Sequence, residues 1–346
     1  MRKLFIFCIL CSFFILPVSA LDMEAPTAPE AANEYMPPNT QSFSEGLLYV
    51  FKMLIHRLQP SIAEASGVCL SVIAAVLLCS ILHTYSGGSK RTTQLVGAIS
   101  IGLLLFNSSN SLLSLGVDTV KELTDYGKLL LPVMAGALAA QGGATSSTAL
   151  YAGTALFSSL LSSVVYRLIV PLLYVNIALG ISNSAVGQSQ LTELQKFVKW
   201  LMVWILKIVL YTFTGYMSVT GVITGSVDAA AIKATKLTIS GVVPMVGGII
   251  ADASETILVS ASVVKNGIGV YGMLAVVSVL AGPFLRLGVQ YLLLKLTTAV
   301  CGVFGEKRMS GLVKDFTGVM GHVLAMVCTV GLLLMVSIVC FMKGLS

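Results

Sequence analysis

Asp252 and Glu255 stand three residues apart in an otherwise apolar stretch, with Thr256, Ser260 and Ser262 close behind. On a helix that spacing puts both carboxylates on one face. A charged side chain inside a bilayer is costly, so such residues usually face a bundle interior or a water-filled cavity. Asp252, Glu255, Thr256 and Ser262 are therefore a candidate polar lining or a proton or cation site. The alternative is a short interfacial helix whose acids meet water or pair with Lys265 or Arg286. Three basic residues fall in apolar surroundings as well. Arg167 lies four residues before Pro171, Arg286 three after Pro283, and Lys207 ten residues into its own apolar segment. Each suits an anionic substrate or a lipid headgroup, or else snorkels or pairs internally.

Other patterns carry less chemistry. Gly267-Ile268-Gly269-Val270-Tyr271-Gly272 has the GxGxxG form, but no soluble strand precedes it and no βαβ unit follows. Cys69, Cys79, Cys301, Cys328 and Cys340 lack metal-ligand spacing, and His56, His83 and His322 are far apart. There is no Walker A lysine and no visible nucleophile–base constellation. The expectation is a protein that is not an enzyme and has no catalytic residue, metal or cofactor.

The elements that must position the polar residues follow from composition. Hydrophobic residues are 56% of the chain and charged residues 10%, with mean hydropathy +0.92. Soluble domains carry about 25% charged residues, so lipid is the main solvent and membrane lipid the first partner. The net charge of +6 is scattered, with no basic stripe interleaved with aromatics, which argues against nucleic acid.

Arg2 and Lys3 before an apolar run, then Pro17-Val18-Ser19-Ala20, predict a signal peptide over 1–20. Residues 21–42, with four acids and four prolines, are expected to be a disordered linker outside the membrane. Residues 43–60 predict an amphipathic surface helix, with Leu47, Phe51, Leu54, Ile55 and Leu58 on one face. Apolar runs then predict eight crossings, near 66–85, 94–115, 129–147, 149–182, 197–224, 241–264, 267–302 and 317–342. Two lie in an N-terminal pair within 61–121. Lys90 and Arg91, Lys233 and Lys236, and Lys307, Arg308 and Lys314 would sit on the cytoplasmic side, with Gly187 and Lys196 outside.

An internal duplication organises the remainder. Leu131-Pro132-Val133-Met134-Ala135-Gly136 is echoed by Val243-Pro244-Met245-Val246-Gly247-Gly248. Pro171 and Pro283 repeat the same 112-residue offset. The four prolines, Pro132, Pro171, Pro244 and Pro283, are expected to break or kink helices. Repeat one would cover 122–224 and repeat two 234–342, with three spans each. An odd number of crossings per copy predicts inverted topology. The fold expected is thus all-α and polytopic, with about eight transmembrane helices in two inverted three-span repeats.

Leu130 through Gly143, and Val243 through Gly248 continuing by Asp252-Ala253-Ser254-Glu255-Thr256 to Gly267, resemble two hallmarks of the stage III sporulation protein AE family. The resemblance covers roughly residues 40–342. It implies a polytopic, non-enzymatic component of the mother cell–forespore channel complex of endospore formers, in the mother-cell membrane around the forespore. It also implies partners among the other stage III sporulation proteins, including a secretion-type ATPase, and a role in forespore development and late forespore gene expression. A secondary transporter or permease subunit moving a small solute is the alternative.

Overall fold

Apolar runs this long, with few turn residues between them, fold as very long helices. The computed structural model describes residues 25–38, 42–85, 90–187, 189–242, 247–304 and 307–343, with backbone alone for 90, 189, 221–262 and 304. Seven α-helices appear among these residues: α1 (Phe43–Tyr85), α2 (Lys90–Ala140), α3 (Ala144–Val164), α4 (Val170–Val186), α5 (Ser189–Val242), α6 (Gly247–Phe304) and α7 (Lys307–Lys343). A π-helical turn, Val165–Ile169, joins α3 to α4 without a break. Among the described residues, six helical rods are long and apolar enough to cross a membrane, α3 and α4 counting as one. At about 1.5 Å per residue, the 58 residues of α6 reach about 87 Å, nearly three times a hydrocarbon layer of about 30 Å.

Six rods in place of eight expected crossings is the first correction. The segments 94–115 and 129–147 do not cross separately, because α2 runs unbroken through Pro132 to Ala140. Likewise 241–264 and 267–302 meet within α6, which continues through Pro283. The surface helix expected over 43–60 and the span near 66–85 are one helix, α1, which contains Pro60. Proline removes one backbone donor, but in membrane helices neighbouring chain and local adjustment satisfy the freed groups, so it need not end the helix. Pro132 and Pro283 are therefore not break points. Pro171 follows the π turn, where one extra residue per turn absorbs its ring. Pro244 lies outside the described residues.

Contacts fix the direction of each rod. Gly97 of α2 packs on Cys79 of α1 and on Met309 of α7, Gly116 on Val323, and Gly127 on Leu334, so α2 runs antiparallel to α1 and parallel to α7. Gly102 meets Ile181, and Thr124 Oγ1 lies 3.0 Å from Ser162 Oγ, so α3–α4 runs back along α2. Gly269 meets Met342, Gly331 Leu280, and Gly321 Tyr291, so α6 is antiparallel to α7. It follows that α3–α4 and α6, which carry Pro171 and Pro283, point the same way.

The two proline-bearing rods are thus parallel, where inverted copies would run oppositely. The parity argument needed a separate crossing near 129–147, and that stretch is instead the end of α2 plus the turn after it. The copies also differ locally. In the first, the chain turns at Gln141–Gly143, where Gly142 takes φ of 94° and Gly143 N–H donates to Leu138 O. At the matching place 112 residues later, the α6 backbone stays helical.

The proline-rich segment expected to be disordered is ordered over 25–38. It forms a 3-10 turn at Glu30–Ala32 and packs on the bundle, with Ala32 0% and Tyr35 6% exposed. Ala28 N–H donates to Tyr271 Oη of α6 at 3.2 Å, Tyr35 lies on Gly282, and Glu34 pairs with Arg57 of α1.

Candidate functional site: a polar cavity between α1, α2 and α6

Three helix faces carry polar residues at helical spacing. On α2 the apolar run is interrupted by Asn107, Ser111, Ser114 and Asp118, which recur every three or four residues and share one face. On α1, Ser61 and Glu64 are three apart and Ser71 lies two turns further along the same face, and on α6 Arg286 and Gln290 are four apart. These faces converge on a half-open cavity of about 710 Å³, in which Glu64, Asp118 and Arg286 are exposed and Gln290 is buried. Its volume falls within the range of about 300–1,000 Å³ typical of small-molecule sites. It lies near the middle of the apolar part of α6, Val263–Val303.

Both ends of the cavity are defined. Just past Ser71 and Leu104, the side chains of Val72, Val76, Ile101 and Leu105 are buried in the apolar core. Toward the other end lies the N-terminal segment with Tyr35. Burial pushes the Tyr35 phenol up, neighbouring Glu34 adds to this, and Arg57 and Arg286 pull the other way. The guanidinium of Arg286 therefore lies near both the cavity and the segment at its end. Gln290 is 4% exposed and lines the cavity one helical turn beyond Arg286. Arg286, Glu64 and Asp118 line one space, yet none of the described ion pairs joins them.

Of the residues singled out from sequence, the structure brings Arg286 to this cavity and not the other two bases. Arg167 is exposed on the π turn, and Lys207 is exposed on α5 alongside Trp204, Ile208 and Tyr211. Both project from outward apolar faces, where long basic side chains snorkel. The side chains of Asp252, Glu255, Thr256 and Ser262 lie outside the described residues. Glu64, Asp118 and Gln290 went unnoticed as site residues, although the polar interruption of α2 was a readable signal.

A second polar region ties the helices together away from the cavity. Lys199 Nζ of α5 lies 2.8 Å from Asp315 Oδ1 of α7, with the side chains 28% and 19% exposed. Arg308 donates to Gln94 Oε1 at 3.1 Å, Gln94 contacts His83 Nε2 at 3.2 Å, and Ser184 Oγ donates to Arg308 O. Gly187, with φ of 73°, caps α4 against Arg308. The ends at Gln94, Gly187 and Arg308 are therefore one end of the bundle, whereas Gly187 had been expected opposite Arg308. Among the described residues, no group of three or more His, Cys, Asp or Glu is placed to hold a metal.

Six membrane-length rods among the described residues, three of them lining a polar chamber, define an all-helical, multi-pass membrane protein. Its pattern over residues 37–344 matches one family throughout. The chain belongs to the stage III sporulation protein AE family. It is 23% identical over 273 residues to stage III sporulation protein AE of Bacillus subtilis (strain 168), covering 77% of this chain and 67% of that one. No solved structure matches.

Proposed function

We propose that this chain is a non-enzymatic part of the channel complex between mother cell and forespore, and that its α1–α2–α6 chamber is a segment of a polar passage. The supporting observation is the half-open chamber itself, because Arg286, Glu64, Asp118 and five serines gather on three facing helices of an otherwise apolar bundle, and charges at membrane depth usually face water or solute. The complex would lie in the mother-cell membrane around the forespore, and its other members, a secretion-type ATPase among them, would complete the conduit. The signal over 1–20 would deliver the N-terminus outside. The end carrying Lys90, Arg91, Lys307 and Arg308 would then face the cytoplasm, as the Lys/Arg bias of membrane proteins favours.

The test is to fill the chamber. Ser111→Trp with Ser114→Phe should sharply reduce heat-resistant spores and late forespore gene expression while the protein still accumulates. Ser111→Ala with Ser114→Ala should sporulate normally. Full sporulation with the filled chamber would leave a scaffold in place of a passage.

A further inference from the structure

Resting on the reading of the chamber as a passage, we infer that it holds a specific site for a small zwitterion, a solute with one anionic group and one ammonium. Arg286 on α6 supplies a fixed cation whose planar donors suit a carboxylate or phosphate. Glu64 on α1 and Asp118 on α2 supply the opposite charge from the other two walls of the same cavity. None of the three is spent in an ion pair with another, so both signs remain available to a solute. Gln290 is a second and independent pointer. It is nine-tenths buried as a residue, lies one helical turn from Arg286, and lines the cavity, so its amide is at hand for a solute. Ser61 and Ser71, whose hydroxyls donate to Arg57 O and Gly67 O, can still accept from the solute, and Ser111 adds a further hydroxyl.

A simple anion would meet two carboxylates here, and a simple cation would meet Arg286. A zwitterion satisfies both walls at once. Two sources share this chemistry, a free solute of amino-acid size and the headgroup of a phosphatidylethanolamine.

The experiment uses the full chain in nanodiscs of phosphatidylglycerol, titrated with L-serine or O-phosphoethanolamine, with acetate and ethylammonium as singly charged controls. Binding is read by thermal shift and calorimetry. The zwitterions should bind and the controls should not. Arg286→Gln, Gln290→Leu, and Glu64→Gln with Asp118→Asn should each weaken binding by about tenfold, the usual cost of one charge-assisted contact. Arg286→Lys should recover part of the loss, which guards against a merely misfolded variant. Discs containing phosphatidylethanolamine that suppress L-serine binding would make the lipid headgroup the natural occupant, and discs without effect would make it the free solute. Equal binding by wild type and all variants, or none by either zwitterion, overturns the site. If the filled chamber blocks sporulation but no zwitterion binds, the passage stands and this site falls. If zwitterions bind but the filled chamber sporulates, the site stands and the passage falls.

Discussion

Asp315→Asn tests whether α5 is locked to α7 by a single ion pair. Lys199 Nζ and Asp315 Oδ1 are 2.8 Å apart, and the two side chains retain 28% and 19% of their exposure. Exposed pairs contribute about 0.2–1 kcal/mol. Breaking a fully buried pair costs about 3–5 kcal/mol, because it strands the partner's charge. A pair one-fifth to one-quarter exposed lies between these, so removing either charge should cost about 1–3 kcal/mol. The neighbours reinforce this estimate. Gly180 of α4 and Gly318 of α7 sit against Asp315 and Lys199, so both charged side chains pack on neighbouring helix surface. The assay is a double-mutant cycle of Lys199→Met and Asp315→Asn, followed by reversible unfolding of purified protein in mixed micelles. The double variant should be less destabilised than the sum of the singles by about 1–2 kcal/mol. High salt should leave most of the coupling intact, since the pair is largely shielded. Strict additivity of the single variants would refute the reasoning, and so would single variants as stable as the parent.

Three further outcomes follow from the geometry. With the native cysteines replaced, single cysteines at Gly187, Arg91 and Lys307 should react with an impermeant maleimide from the same side of the membrane, and one at Gln141 from the opposite side. Labelling of Gly187 opposite Lys307 would overturn the six-rod arrangement. Gly187→Val should lower the melting temperature, because φ of 73° costs a non-glycine residue about 1–2 kcal/mol and a β-branched side chain would press on Arg308. An unchanged melting temperature would mean that the α4 cap is not held in this conformation. Tyr35→Ala should speed proteolysis within residues 25–38, since the Tyr35 ring packs on Gly282 and holds the segment to the bundle. An unchanged cleavage rate would show that the N-terminal segment does not dock at the end of the cavity.

How far the sequence carried depended on what kind of information each feature needs. The membrane class, the all-helical content and the family were readable, because mean hydropathy and local motifs are properties of the residues alone. So was the proline repeat. Helix boundaries were not. Pro132 and Pro283 look like breaks in one dimension, yet in a packed bundle their helices continue, and α2 and α6 each absorb what had been counted as two crossings. The orientation of the two copies failed with that count, since direction is a matter of parity and one lost crossing reverses the answer. The order of 25–38 was equally hidden. Four prolines and a run of acids argue for disorder, and only Gly282, Tyr271 and Arg57 brought alongside supply the burial and pairing that offset the entropy of fixing the segment.

The candidate site shows the same division. Asn107, Ser111, Ser114 and Asp118 keep helical spacing, so that α2 has a polar face could be read along the chain. That this face meets Glu64 from 54 residues earlier and Arg286 from 168 residues later could not, because periodicity says which residues share a face and nothing about what that face opposes. Residue chemistry alone settles the solvent, the helical period and the family. Partners across the bundle are settled only when the rods pack, since the free energy that selects one neighbour over another comes from contacts between segments distant in the chain.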